Sequence, residues 1–287
     1  MSILRLHVSL VAWLLCTQLA AQATDNDKIW REFIDWASAP TNTATSLQDY
    51  RPKLIESGLT PAQADERLAL IPKLINESPA HQQQISAIGF NRLYHAPQQD
   101  RFTLEPNAFL VSTIKDLKPG KALDVAMGQG RNAVYLATKG WDVTGFDVAE
   151  EGMKIAEANA AKAGTHIKTV KASFEDFDYG KEQWDLIYFV YTDAPTVDPK
   201  YLARLREALK PGGLLLLDRP YRSITNPEPG WRETEEDKVN AYPKAWAVEG
   251  MQIVLYEDTT GYGDWRQTAA PRLEQKLRIV RVLARKL

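Results

Sequence analysis

The chain has 287 residues, 44% hydrophobic and 25% charged, with 35 lysine and arginine against 37 aspartate and glutamate side chains. That is the composition of a globular protein able to bury one large core, or a core plus a helical extension. A formal net charge of −2 gives no electrostatic footprint for nucleic acid, so no nucleic-acid partner is expected and a small substrate fits better than a polymer.

Residues 1–23 read as a secretory signal. Arg5 precedes an apolar run from Val8 to Leu15, and Ala21 and Ala23 are small residues at the two positions a signal peptidase reads. Export to a periplasmic or extracellular location is expected, with a retained membrane anchor or a cytoplasmic product of a downstream start as alternatives. The run is too short to span a bilayer comfortably, so no stable membrane span is expected after cleavage. Cleavage removes Arg5 and leaves 34 basic against 37 acidic side chains. It also removes Cys16, the one cysteine, so disulfide, thiol nucleophile and thiolate metal site are not expected.

Residues 24–89 read as a helical extension without strand pattern. Ile29, Phe33, Ile34 and Trp36 form an apolar stripe, and Thr41 to Ser46 is a polar loop. Thr60-Pro61 opens a second helix, with Thr60 as N-cap and Pro61 at the first helical position, running to Pro72 or beyond. Residues 90–287 form the second predicted domain. It enters through Tyr94-His95 and Arg101-Phe102, and a helix starts within Glu105-Pro-Asn-Ala-Phe-Leu110 and ends near Lys118.

The stretch from Ala122 to Asp147 organises the rest. It predicts a buried strand with Asp124 near its end, a turn carrying Gly128 and Gly130, a helix from about Arg131 to Lys139, and a strand from Trp141 to Phe146 ending on Asp147. Glycines at 128 and 130 let backbone approach a ligand, and the following helix offers unpaired N–H groups. Asp147 stands where such folds place an acceptor for ribose hydroxyls.

Two cofactors compete for this turn. Gly128-x-Gly130-x-x-Ala133 followed by Asp147 fits a nicotinamide dinucleotide. Asp124 argues against it, because a carboxylate near a pyrophosphate is repelled in a partly dry site. The same acid suits S-adenosylmethionine, which carries an ammonium and a sulfonium and no phosphate.

Downstream, strands and helices alternate: helix Glu150–Ala163, strand Ile167–Lys171, strand Trp184–Val190, helix Pro199–Leu209, then Lys210-Pro-Gly-Gly213 turning into strand Leu214–Leu217. This predicts right-handed crossovers and a parallel sheet covered on both faces. A helix from Thr234 to about Val248 and two late strands, Met251–Tyr256 and Leu277–Leu287, follow. His7, His81, His95 and His166 are scattered without metal-ligand spacing, so no metal is expected.

The run Asp124-Val-Ala-Met-Gly-Gln-Gly-Arg-Asn-Ala-Val-Tyr-Leu-Ala137, with Gly140-Trp-Asp-Val-Thr-Gly-Phe-Asp147, resembles the first two motifs of class I S-adenosylmethionine-dependent methyltransferases. Gly-Arg-Asn followed by Tyr-Leu-Ala is similar to the tellurite-resistance type. The resemblance covers about Phe90 to Leu287 and implies a Rossmann-like, seven-stranded, mostly parallel sheet closed by an antiparallel C-terminal strand pair. It departs at Ala126, where many members have the first glycine, and at Ser173, where an acid commonly receives the adenine amino group.

The resemblance and the rule that ligands lie outside the carboxyl ends of parallel strands together mark a set of residues. Asp124, Ala126, Met127, Gly128, Gly130, Arg131, Asn132, Asp147, Val148, Ser173 and Phe174 are the expected cofactor residues. Asp193, as a base if one is needed, and Tyr191 beside it border the transferred methyl. Tyr94, His95, Arg219 and Tyr221 are the substrate candidates, with Asn107, Arg222, Tyr262 and Trp265 as further lining. The implied function is a methyltransferase acting on a small molecule, with a thiol, a sulfide or a metalloid oxyanion as acceptor. A nicotinamide-dependent oxidoreductase and a non-catalytic binder of an adenosine ligand are the alternatives, and no oligomeric state is implied.

Overall fold

The computed structural model describes residues 25–39, 42, 44, 46–95, 102–221, 240–247, 249–263 and 277–287. The predicted signal, residues 1–23, lies outside them, as do Arg101, Arg222 and Trp265 and much of the helix expected from Thr234. The chain divides into two compact units, Met1–Gly89 and Phe90–Leu287. Among the described residues no helix is long and apolar enough to cross a membrane.

The first unit is helical. Residues 25–38 form α1; a 3-10 turn, Leu47–Tyr50, runs into α2, Arg51–Glu56; α3 is Pro61–Glu77, and α4, Pro79–His95, begins here. Thr60 caps α3 as its sequence predicts: its hydroxyl accepts the Gln63 amide, while Gln63 Oε1 accepts the Thr60 amide at 2.9 Å. Ile29 and Phe33 of the apolar stripe are buried, Ile34 and Trp36 half-buried, against Tyr50, Leu54, Leu68 and Ile71. Trp30 stacks on His81 with ring centroids 3.9 Å apart and donates its indole N–H to Gln84 Oε1 at 2.7 Å, which satisfies the indole inside the cluster.

The second unit is built on seven strands: β1 (Lys121–Val125), β2 (Asp142–Asp147), β3 (Lys168–Lys171), β4 (Trp184–Val190), β5 (Leu209–Tyr221), β6 (Met251–Gly261) and β7 (Leu277–Lys286). Their order is β3-β2-β1-β4-β5-β7-β6; β1 to β5 are parallel, and β7 runs antiparallel to both its neighbours. Alternate residues serve opposite faces. Leu123, Val125, Ile187, Phe189, Leu215 and Leu217 join one core with α8 (Pro199–Ala208) and α9 (residues 240–246). Ala122, Leu186, Tyr188, Leu214 and Leu216 join the other with α5 (Ala108–Ile114), α6 (Arg131–Thr138) and α7 (Glu150–Lys162).

Two predicted boundaries are corrected. Lys210-Pro-Gly-Gly213, expected as a turn before a strand, lies inside β5: Trp184 pairs with Leu209 and Leu186 with Leu214, so the extra β5 residues bulge, with Gly212 at φ 77°. The strand expected to end at Tyr256 continues to Gly261. Its polar end pairs with β7 and is held by Arg278, bidentate to Asp258 at 2.6 and 2.8 Å, and by Arg281 on Glu257 at 3.3 Å. Cross-strand pairing extends a strand where apolar alternation has stopped.

Candidate cofactor site

Strand order reverses between β1 and β4, so their carboxyl ends open the crevice in which an α/β sheet receives a ligand. The turn there is tight. Met127 N–H bonds to Phe146 O at 3.0 Å and Gly130 N–H to Met127 O at 2.9 Å, with Gly128 at φ 52° and Gly130 at φ 75°. A Cβ on Gly130 would come within 2.6 Å of the Ala156 Cβ, so this glycine is also where α7 packs. Ala126 has φ 57°, a conformation that costs a residue with a Cβ about 1–2 kcal/mol. Ala126→Gly is therefore expected to raise stability by about 0.5–1 kcal/mol after the added freedom of the unfolded chain is subtracted, read as a higher urea midpoint at constant slope.

Asp124, on β1, is buried, and its Oδ2 has no hydrogen-bond partner among the described residues. Burial pushes its pKa up to about 7; the Asp147 charge adds to this, while the Tyr188 hydroxyl, the Arg131 charge and the Ala133 amide pull it back. The native state therefore keeps this proton over a range where the unfolded chain has lost it. The unliganded domain should lose stability as pH rises from roughly 4 to 7, and Asp124→Asn should flatten that slope in urea midpoints taken at pH 5 and 7. An unchanged slope in the variant would remove Asp124 as its source.

Asp147 closes the other side. Its Oδ2 accepts the Gly128 amide and its Oδ1 the Ala149 amide, both at 2.8 Å, and Val148 N–H also turns toward it. Burial nonetheless holds its pKa above the usual carboxylate range. The Tyr94 phenol, near the end of α4, lies over Gly128 and accepts the Gln129 backbone N–H, and its ring meets Phe102 at 5.7 Å. Burial and the two carboxylates raise its pKa. His95 is exposed, 3.5 Å from Glu151.

Several predicted cofactor side chains have other partners. Met127 packs against Gly145 in the core, so only its backbone shapes the turn. Gln129 donates to Thr103 O at 3.0 Å and Phe102 O at 3.3 Å, Arg131 donates to Glu105 O at 3.0 Å, and Asn132 Oδ1 accepts the Asn107 amide at 2.9 Å. Asn107 in turn caps α5 through the Leu110 amide and donates to Asp218 Oδ2 at 2.8 Å. The Gln-Gly-Arg-Asn run thus straps residues 102–107 onto the turn. Ser173 donates to Asp176 Oδ2 at 2.7 Å and accepts the Asp176 amide at 3.1 Å, closing a local turn. Phe174 is half-buried, edge-on to Phe146.

At the ends of β4 and β5, Tyr191 has φ 57°, bonds through N–H to Asp218 O at 3.0 Å and lies under the Arg131 guanidinium, 5.5 Å from its ring centroid. Asp193 reaches into solvent, its Oδ1 2.7 Å from Arg219 Nη2. Tyr221 is buried and donates to Tyr242 Oη at 2.9 Å. Tyr262 is exposed. Sequence reading missed the role of the Gln129 side chain, which stands between the two glycines of the quoted run, and missed Tyr188 and Tyr242, which no motif singles out. Among the described residues no group of three or more His, Cys, Asp or Glu could hold a metal ion.

Residues 122–213 match a family described as "Methyltransferase domain". The chain is 32% identical over 154 residues to a ubiquinone biosynthesis O-methyltransferase of Cereibacter sphaeroides, covering 53% of this chain and 55% of that one. It is 24% identical over 204 residues to the probable S-adenosyl-L-methionine-dependent methyltransferase TehB of Haemophilus influenzae, covering 67% and 68%. The chain thus spans little more than half the length of the first of these relatives. A solved structure described as converting a disulfide bond into a thioacetal group during echinomycin biosynthesis shares the fold, with a TM-score of 0.53 and 16% identity over 70% of this chain and 93% of that one. The glycine turn between two acids at the strand-order switch lies within the stretch that matches the methyltransferase domain, and the chain resembles S-adenosylmethionine-dependent methyltransferases of the tellurite-resistance type.

Proposed function

We propose that the chain transfers the methyl group of S-adenosylmethionine to a small-molecule acceptor, with thiols, sulfides and metalloid oxyanions the first classes to assay. The observation that carries this reading is Asp124: a buried carboxylate with one oxygen lacking a hydrogen-bond partner among the described residues, beside a tight turn whose glycines hold left-handed backbone. A buried acid in that condition calls for a donor, and the ammonium of the methionine part supplies one. Asp147 accepts the Gly128 and Ala149 amides with Val148 N–H beside them, and a carboxylate has about four acceptor positions, so capacity remains for a ribose hydroxyl. Phe174 offers a half-buried ring face or edge for adenine.

The bound cofactor supplies an electrophilic methyl on a sulfonium. This chain's residues orient it and keep water away, and holding two reactants in near-attack geometry can lower a barrier by ~7–11 kcal/mol, which makes a dedicated base optional. Tyr191, fixed by its backbone conformation and by Arg131, is the side chain next to the crevice from β4.

Calorimetry with S-adenosylmethionine, S-adenosylhomocysteine and NAD tests the reading. Binding of the two sulfur nucleosides is expected, with proton release below about pH 7 as the ammonium draws Asp124 into its charged form, seen as a heat that depends on the buffer. Tight NAD binding with no response to the other two would reject the proposal. Binding without turnover on a nucleophile panel would leave the chain a binder of an adenosine ligand.

A further inference from the structure

The rim beyond β4 and β5 carries a charge arrangement outside the proposed cofactor residues. The Arg219 side chain is only 12% exposed, whereas its ion-pair partner Asp193 is 94% exposed. Among the described residues, phenols border the guanidinium. The Tyr221 ring centroid is 5.2 Å from it, the Tyr242 hydroxyl hydrogen-bonds to it, and Tyr242 Oη also meets Thr196 Oγ1 at 3.1 Å. Among the described residues, the carboxylate paired with this buried cation therefore stands in water.

A pair with one partner in high dielectric is weak and exchangeable, while a desolvated guanidinium left without an anion is costly. An anion arriving from solvent can replace Asp193 and accept two parallel N–H bonds. Thr192, next to Asp193, is buried with its hydroxyl lacking a hydrogen-bond partner among the described residues, a second polar group with unmet demand. Tyr191, before it, keeps a left-handed backbone of the kind retained where a site needs it.

We infer that Arg219 is the anion anchor of the acceptor site and Asp193 its removable counter-ion, so that the acceptor carries a carboxylate or an inorganic oxyanion that takes the place of Asp193. This rests on the methyltransferase reading only for the word acceptor. It assigns Asp193 the role of a latch instead of a base.

The test titrates the full chain with sodium acetate and with sodium phosphate by calorimetry, with and without saturating S-adenosylhomocysteine. Asp193→Asn is expected to tighten anion binding about two- to fivefold, because the internal competitor is gone. Arg219→Lys should weaken it and Arg219→Gln abolish saturation, while Asp116→Asn, which removes an exposed carboxylate elsewhere, leaves it unchanged. Acetate alone saturating assigns a carboxylate-bearing acceptor, and phosphate alone an inorganic oxyanion. Equal affinity in wild type and Asp193→Asn, an equal gain in Asp116→Asn, or no saturation by either salt overturns the proposal. If Arg219→Gln loses the nucleoside through misfolding, the comparison of Asp193→Asn with Asp116→Asn decides. Failure of the wild type to bind the nucleoside while the anion results hold would overturn the methyltransferase reading and leave the anchor standing.

Discussion

Asn107→Leu is expected to destabilise the second unit by about 3–4 kcal/mol, measured as a lower urea midpoint at constant slope. Asn107 is almost wholly buried and has three duties: its Oδ1 caps α5, its amide N–H lies on Asn132, and its Nδ2 donates to the fully buried Asp218. Leucine keeps the branching at Cγ, is bulkier, and removes both side-chain bonds. The cap alone is worth about 1 kcal/mol, and weakening the solvation of a buried carboxylate costs more. Arg281, 3.5 Å from Asp218, remains as a partial counter-charge and keeps the loss from being larger. A cycle with Asp218→Asn separates the two duties: a coupling energy of about 0.5–3 kcal/mol is expected, and a coupling near zero would mean that the amide and the carboxylate act independently.

Asp147→Ala is expected to weaken S-adenosylmethionine binding by ~1.5–3 kcal/mol, roughly 10- to 150-fold in Kd, since truncating one partner of a charged hydrogen bond costs that much. The same substitution takes the acceptor from the Gly128 and Ala149 amides, so the turn itself loosens. Asp147→Asn discriminates: it keeps one acceptor oxygen and loses the charge, and it should lie between wild type and alanine. Equal calorimetric affinity in all three proteins would remove Asp147 from the site.

The two carboxylates behave differently because their surroundings do. Asp147 sits among backbone amides that partly offset its burial, whereas Asp124 has an oxygen without such a donor. The proposed cation binding beside Asp124 would therefore be linked to proton release, while the Asp147 amides shape the turn without a ligand.

What could be read along the chain was whatever depends on near neighbours. Thr60-Pro61 announces its capped helix, the two acids and two glycines announce the turn, and apolar runs at 122–125, 184–190 and 214–217 announce strands buried on both faces. Each of these is a local preference or a periodicity, and tertiary packing agreed with it. The destinations of the polar side chains depend on distant partners. Asn107 and Asp218 meet across 111 residues, Asn132 reaches back 25, Arg219 finds Asp193 across 26, and no spacing rule links such positions. Only the folded sheet, by bringing the carboxyl ends of β1, β4 and β5 side by side, turned Gln129, Arg131 and Asn132 toward the 102–107 strap and gave Arg219 a partner standing in solvent. A hydrogen bond acts over about 3 Å and requires its donor and acceptor to be delivered by separate elements, so the backbone had to be complete before these roles were defined.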